Sequence, residues 1–122
     1  FYAEVQRMKQ TAEKLQQKQP HLVLMDELFK GTNVHDAYEC TRAVVDGLMN
    51  HTNHLLILST HLYEVAQLFS NNDALLFSYF VTDLAEDGSY RFTYQLRNGI
   101  SNDRIGYRIL QKEGVIDLLN KR

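Results

Sequence analysis

The sequence predicts an α/β fold with a small parallel sheet and an added antiparallel hairpin. Two short apolar runs, Leu22-Val23-Leu24-Met25 and Leu55-Leu56-Ile57-Leu58, are separated by a stretch of helical periodicity, and a later segment switches to apolar/polar alternation. Strands divided by a helix-length crossover read as parallel neighbours with a right-handed connection. Alternation with period two reads as an antiparallel ribbon with one wet face. The 122 residues suit one domain and leave no room for a second complete one. With 44% hydrophobic residues, seven Tyr and six Phe, the chain has the material for a core.

Each element has its own justification. Phe1, Val5, Met8, Ala12 and Leu15 step by three and four, one stripe of a helix, which Gln19-Pro20 is expected to stop. The run Leu22 to Met25 has the continuous apolar character of a strand covered on both faces, and it ends in Asp26-Glu27. Asn33 is placed to cap a second helix carrying Ala37, Thr41, Val44, Val45 and Leu48 on one side, with Asp36 in its first turn, running to about Asn50. The second buried strand, Leu55 to Thr60, ends in Ser59-Thr60-His61, and Leu62, Val65, Ala66 and Phe69 mark a further helix. Glu86-Asp87-Gly88 sits between Leu75 to Leu84 and Tyr90 to Leu96 as a hairpin turn, and the alternating Tyr90, Phe92, Tyr94 and Leu96 are expected to pack as core. Gly99 ends the hairpin, Ser101-Asn102-Asp103 offers caps for a helix through Leu110, and Gly114 separates a last amphipathic piece, Val115 to Leu119.

Composition excludes several classes. Thirteen basic against 15 acidic residues give a net charge of −2 and a pI near 6.2, so no global positive field draws in nucleic acid. Any DNA contact is expected to lie elsewhere. The single cysteine, Cys40, forbids an intrachain disulfide and fits a reducing cytoplasmic setting. No apolar run is long enough to span a bilayer and no signal-peptide pattern opens the chain, so a soluble protein is expected. Phe1 enters directly into a helical pattern, which is the expectation for a piece of a longer protein.

In open α/β sheets ligands bind beyond the carboxyl ends of the strands, which is where Asp26, Glu27 and His61 are expected to converge. Two adjacent carboxylates can divide the work of phosphoryl transfer. One supplies an oxygen ligand for Mg²⁺ and the other positions the attacking water, while a histidine hydrogen-bonds a terminal phosphate oxygen. Gly31-Thr32-Asn33, at a helix start, is a usual place for phosphate contacts. Blander uses compete: Glu27 paired with Lys30 at the surface, or His61 capping the next helix. A metal site at His51, His54 and His61 lacks a supporting ligand pattern, which leaves His51 and His54 as loop residues. Cys40 falls inside a helix, and Ser59 has no Gly-x-Ser-x-Gly elbow.

Taken together, Leu22-Val-Leu-Met-Asp-Glu-Leu-Phe-Lys-Gly-Thr-Asn33 and Ser59-Thr-His-Leu-Tyr-Glu64 resemble the carboxyl-terminal half of the ATPase domain of the MutS DNA mismatch repair family. That family has a Walker B strand ending in Asp-Glu, a Gly-Thr loop preceded by a basic residue, and a strand ending in Thr-His before an aromatic residue and a Glu. Phe1, Tyr2 and Glu4 are similar to the tail of its signature segment, and Gly99-Ile-Ser and Arg104-Ile-Gly106 resemble later segments, so the likeness covers most of residues 1–122.

The resemblance implies a P-loop NTPase fold of the ABC type, here incomplete. It implies ATP and Mg²⁺ as cofactors, with Asp26 helping to hold Mg²⁺, Glu27 orienting the hydrolytic water and His61 sensing the γ-phosphate. Lys30, Gly31, Thr32 and Asn33 would form the nucleotide and dimer-interface loop of a homodimer, and DNA would be bound through upstream domains. Some positions depart from the family pattern: Phe29 stands where Gly is common, Lys30 where Arg is, and Asn33 where Ser is. None of the six glycines belongs to a Gly-x-x-x-x-Gly-Lys-Ser/Thr phosphate loop, so these residues alone are expected neither to bind ATP tightly nor to hydrolyse it. The rival readings are a non-hydrolysing dimerisation module of the same fold, the ATPase half of a transporter or chromosome-structure protein, and an unrelated interaction domain. The absence of Leu-Ser-Gly-Gly-Gln argues against the second.

Overall fold

A computed structural model describes residues 1–101 and 105–121. It is an α/β structure in two compact units, residues 1–75 and 76–122.

The first unit holds the parallel sheet. Helix α1 (Tyr2–Leu15) carries Glu4 in its first turn, where the helix dipole favours an acid, and Lys14 in its last. It stops short of Pro20, because the amides of Gln16 and Gln17 turn back to the carbonyls of Glu13 and Lys14 at 3.2 and 3.1 Å, three residues behind, and tighten the last turn. Strand β1 (Leu22–Asp26) pairs in parallel with β2 (Leu55–Ser59), in a register that sets Leu22 against Leu55 and Asp26 against Ser59. Between them runs α2 (Val34–Leu48). Asn33 caps it as its residue type predicts: Oδ1 accepts the Asp36 amide at 2.9 Å, and Nδ2 donates to the Asp36 carboxylate at 2.9 Å. Helix α3 (Tyr63–Leu68) follows β2 and packs against α2.

Leu15, Phe29, Ala37 and Val65 form the buried apolar centre of this unit, with Thr41 wholly inside. The expected burial of both strands on both faces is not met. Leu22, Leu24, Leu55 and Ile57 are exposed, while Val23, Met25, Leu56 and Leu58 are half-buried. The physical reason is that a four-residue apolar run reports that a strand can be covered on both faces, not that covering elements are present among these residues.

His54, expected as a plain loop residue, ties three segments together. Its Nδ1 accepts the main-chain amide of His21 at 3.0 Å and its Nε2 lies 3.2 Å from the Leu15 carbonyl oxygen. The ring thereby joins the end of α1, the start of β1 and the start of β2.

The second unit begins with β3 (Ser78–Leu84) and β4 (Tyr90–Asn98), an antiparallel hairpin as expected. At its turn Asp87 accepts from the Ser89 amide at 2.9 Å and the Ser89 hydroxyl at 2.6 Å. These hydrogen bonds hold the Asp87 carboxyl below the ordinary aspartate value. Gly99, at φ +118°, closes the ladder with its amide on the Phe77 carbonyl at 2.8 Å. Helices α4 (Ile105–Lys112) and α5 (Val115–Leu119) pack on each other around Gly114, whose φ of +71° suits glycine. The predicted caps Asn102 and Asp103 lie outside the described residues, as does Arg104.

The expected aromatic core of the hairpin is a second correction. Phe92, Tyr94 and Leu96 are exposed, while Val81 is buried. Between Phe80↔Leu96 and Thr82↔Phe92 the ladder slips, one residue of β3, Val81, facing three of β4, Thr93, Tyr94 and Gln95, and Tyr94 sits at φ +58°. Such a bulge re-aims side chains, so alternation along β4 does not carry through to one packed face.

Candidate functional site at the carboxyl ends of the parallel strands

Because β1 and β2 are parallel and in register, their carboxyl ends emerge side by side. Asp26 and Ser59 are register partners, and the Ser59 hydroxyl donates to Asp26 Oδ1 in a short hydrogen bond. The ladder extends one residue further, where the Glu27 amide donates to the Ser59 carbonyl at 2.9 Å and approaches the Ser59 hydroxyl at 3.3 Å. Ser59 is thus the partner of both acidic residues. Its signal in the sequence was its place at the same distance along β2 as Asp26 along β1, rather than any nucleophile motif.

Glu27 then leaves the strand at φ +47°, in the left-handed region where non-glycine residues carry strain. Its Oε2 receives the Lys30 ammonium at 2.6 Å, and its Oε1 lies 3.8 Å from His61 Nδ1, beyond hydrogen-bond length. The predicted convergence of Glu27 and His61 therefore occurs, and so does the blander pairing of Glu27 with Lys30. The hydrogen bond to Glu27, followed by its charge, raises the Lys30 pKa above the ordinary lysine value. His61 does not cap α3. That helix begins after Leu62, whose amide donates to Thr60 Oγ1 at 3.1 Å.

The loop from Glu27 to Asn33 is packed as well as hydrogen-bonded. Phe29 is 4% exposed despite its φ of +61°. The ring of Phe1 meets it edge-on with centroids 6.0 Å apart. The Gly31 amide donates to Glu4 Oε1 at 3.2 Å. A Cβ on Gly31 would lie 2.6 Å from the Phe1 main-chain nitrogen, so this position accepts only glycine without movement. Of the remaining candidates, Thr32 is half-buried, Asn33 is engaged as the α2 cap, and Tyr2 is exposed, with its hydroxyl accepting from Gln6 Nε2 at 3.1 Å.

No three His, Cys, Asp or Glu side chains among the described residues gather as a metal cage. What the strand ends present instead is one carboxylate with a hydroxyl neighbour, a second carboxylate with a cation, and an exposed imidazole. This is a hard-oxygen and hydrogen-bonding set rather than a soft-metal one. Also among the described residues, no helix is long and apolar enough to cross a membrane.

A family model described as MutS domain V matches residues 1–119. The chain is similar to the DNA mismatch repair protein MutS of Streptococcus pyogenes serotype M1, 27% identical over 101 residues, or 83% of this chain and 12% of that protein. It is similar to the same-named protein of Streptococcus mutans at 27% over 101 residues, 82% of this chain and 12% of the relative. For that of Leuconostoc mesenteroides the identity is 26% over 106 residues, 86% of this chain and 12% of the relative. The chain spans about an eighth of the length of these relatives. With nearly every residue inside the family match, and the acidic strand end, glycine loop and histidine gathered at one end of the sheet, the chain belongs to the MutS family, in its domain V.

Proposed function

We propose that this chain is the carboxyl-terminal portion of an ATPase domain with a P-loop NTPase fold, in a cytoplasmic protein that couples ATP binding and hydrolysis to DNA in mismatch repair or related DNA maintenance. The observation that carries this reading is the meeting of Glu27 and His61, 3.8 Å apart, at the carboxyl ends of two parallel strands beside Asp26. The relatives' name, DNA mismatch repair protein, supports the DNA part.

The residues fit Mg²⁺ and a nucleotide phosphate. Mg²⁺ keeps several waters and takes one or two carboxylates plus phosphate oxygens, so Asp26 suffices where a cage is absent. When bound, the ion neutralises charge on the phosphates. Glu27 orients the attacking water, with Lys30 holding Oε2 and so fixing the carboxylate plane. His61, exposed beside it, donates a hydrogen bond to a terminal phosphate oxygen. The Lys30-Gly31-Thr32-Asn33 loop is assigned to the nucleotide and homodimer interface, and Phe1, Tyr2 and Glu4 to the tail of the signature segment. Hydrolysis on this reading needs a phosphate loop outside these residues, since none of the six glycines supplies one.

A second reading, a dimerisation module that has kept the fold without hydrolysis, is favoured by one observation: Lys30 already neutralises Glu27 at 2.6 Å. Mg²⁺-dependent ATP turnover of the full-length protein, wild type against Glu27→Gln, separates the two. A fall of roughly 10² or more with ATP binding retained supports the ATPase. Equal turnover in both leaves the scaffold.

A further inference from the structure

Resting on the ATPase reading above, we infer that Glu4 is a positioning residue for Glu27 in the same chain: the first turn of α1 holds the loop after β1 and so sets the carboxylate that orients water.

Three contacts, none of them made by Glu27 itself, support this. The Gly31 amide donates to Glu4 Oε1 at 3.2 Å. Phe1 lies edge-on to Phe29, which is buried. Gly31 approaches the Phe1 backbone so closely that a Cβ would lie 2.6 Å from its nitrogen. Phe29 and Gly31 flank Lys30, so both main-chain neighbours of Lys30 are held by the start of α1. Lys30 in turn places its ammonium 2.6 Å from Glu27 Oε2. A continuous chain of contacts therefore runs from Glu4 through Gly31 and Lys30 to Glu27. The far end matters because Glu27 is at φ +47°, a backbone state that persists only where its surroundings determine it.

Position alone has a large effect on rate, since misplacing a reacting group by about 1 Å can cost about 10²-fold. The test is steady-state ATP hydrolysis by the full-length protein with Mg²⁺, comparing wild type, Glu4→Ala, Glu4→Gln, Glu4→Asp, Glu27→Gln and the Glu4→Ala/Glu27→Gln double variant. Glu4→Ala is expected to lower kcat by about 10- to 100-fold with KM for ATP little changed. Glu4→Gln keeps an oxygen that can accept the Gly31 amide and is expected to recover most of the rate. In the Glu27→Gln background Glu4→Ala is expected to cost little more, because two residues acting through one group are not additive.

Wild-type kcat in Glu4→Ala beside a collapsed Glu27→Gln overturns the inference and leaves the ATPase reading standing. So does a loss confined to KM, full additivity, or a Glu4→Gln as slow as Glu4→Ala. Should Glu4→Ala fail to fold, Glu4→Asp takes its place: it keeps the charge but is one methylene too short, so a slowed kcat supports the inference and a wild-type kcat overturns it. Wild-type turnover in Glu27→Gln overturns the ATPase reading and this inference with it.

Discussion

The main-chain amide of His21 donates to Nδ1 of His54 at 3.0 Å. An imidazole that accepts at Nδ1 carries its proton on Nε2, and that nitrogen faces the Leu15 carbonyl oxygen at 3.2 Å. One ring thus satisfies the first amide before β1 and reaches the last residue of α1. His54→Ala removes both contacts and leaves a half-buried amide without its acceptor, so a loss of about 1 to 3 kcal/mol is expected. Urea denaturation at neutral pH measures it; a midpoint unchanged from wild type would show the latch to be energetically idle.

Phe29 combines a buried ring with a left-handed backbone, so two effects oppose each other on replacement by glycine. Relief of the backbone is worth about 1 to 2 kcal/mol. Loss of a buried phenyl group costs about 3 to 5 kcal/mol. Burial wins, and Phe29→Gly is expected to destabilise by about 1 to 4 kcal/mol by the same two ranges. A thermal melt that rises instead would mean that the contact with Phe1 contributes little.

Thr41 is fully buried on α2, and its hydroxyl lacks a hydrogen-bond partner among the described residues. Valine has nearly the same shape without the polar atom. Thr41→Val is therefore expected to stabilise by about 1 kcal/mol, moving the urea midpoint up with the slope unchanged. Thr41→Leu, which overfills the same space, is expected to lose about 1 to 3 kcal/mol.

The Lys30 pKa is raised, chiefly by its hydrogen bond to Glu27 and then by that carboxylate's charge. A raised lysine value means that the pair's contribution is fully present below 10.5, the ordinary value, and is lost as pH rises through the higher folded value. Both side chains are exposed, so stability at neutral pH is expected to change little in Lys30→Gln. NMR titration of the Lys30 ammonium is the direct check. In Glu27→Gln its pKa is expected to fall back towards 10.5.

Much of the fold was legible because local chemistry and tertiary structure agree. Asn33 has both the residue type and the position of a cap, and the structure uses both of its polar atoms on Asp36. Gly99 and Gly114 mark element ends because their positive φ angles suit a residue without Cβ. At the candidate site, Asp26, Glu27 and His61 were legible as strand-end residues. Ser59 was not seen as the partner of Asp26, because that role exists only once the two strands are in register. The hairpin misled for a similar reason: its alternation is real, but the ladder slip beside Tyr94 breaks the link between alternation and one face.

The sequence by itself determined which segments are helix and strand, where acids and a histidine follow apolar runs, and the family to which the chain belongs. These depend on residue type and on spacing along the chain. Tertiary structure alone decided that Lys30 rather than His61 makes the close contact with Glu27, that His54 joins α1 to the sheet, and that Glu4 reaches the Gly31 amide across 27 positions. Those contacts join residues far apart along the chain, or turn on a single backbone angle, and the distances between them are set by strand register and by the path of the loop.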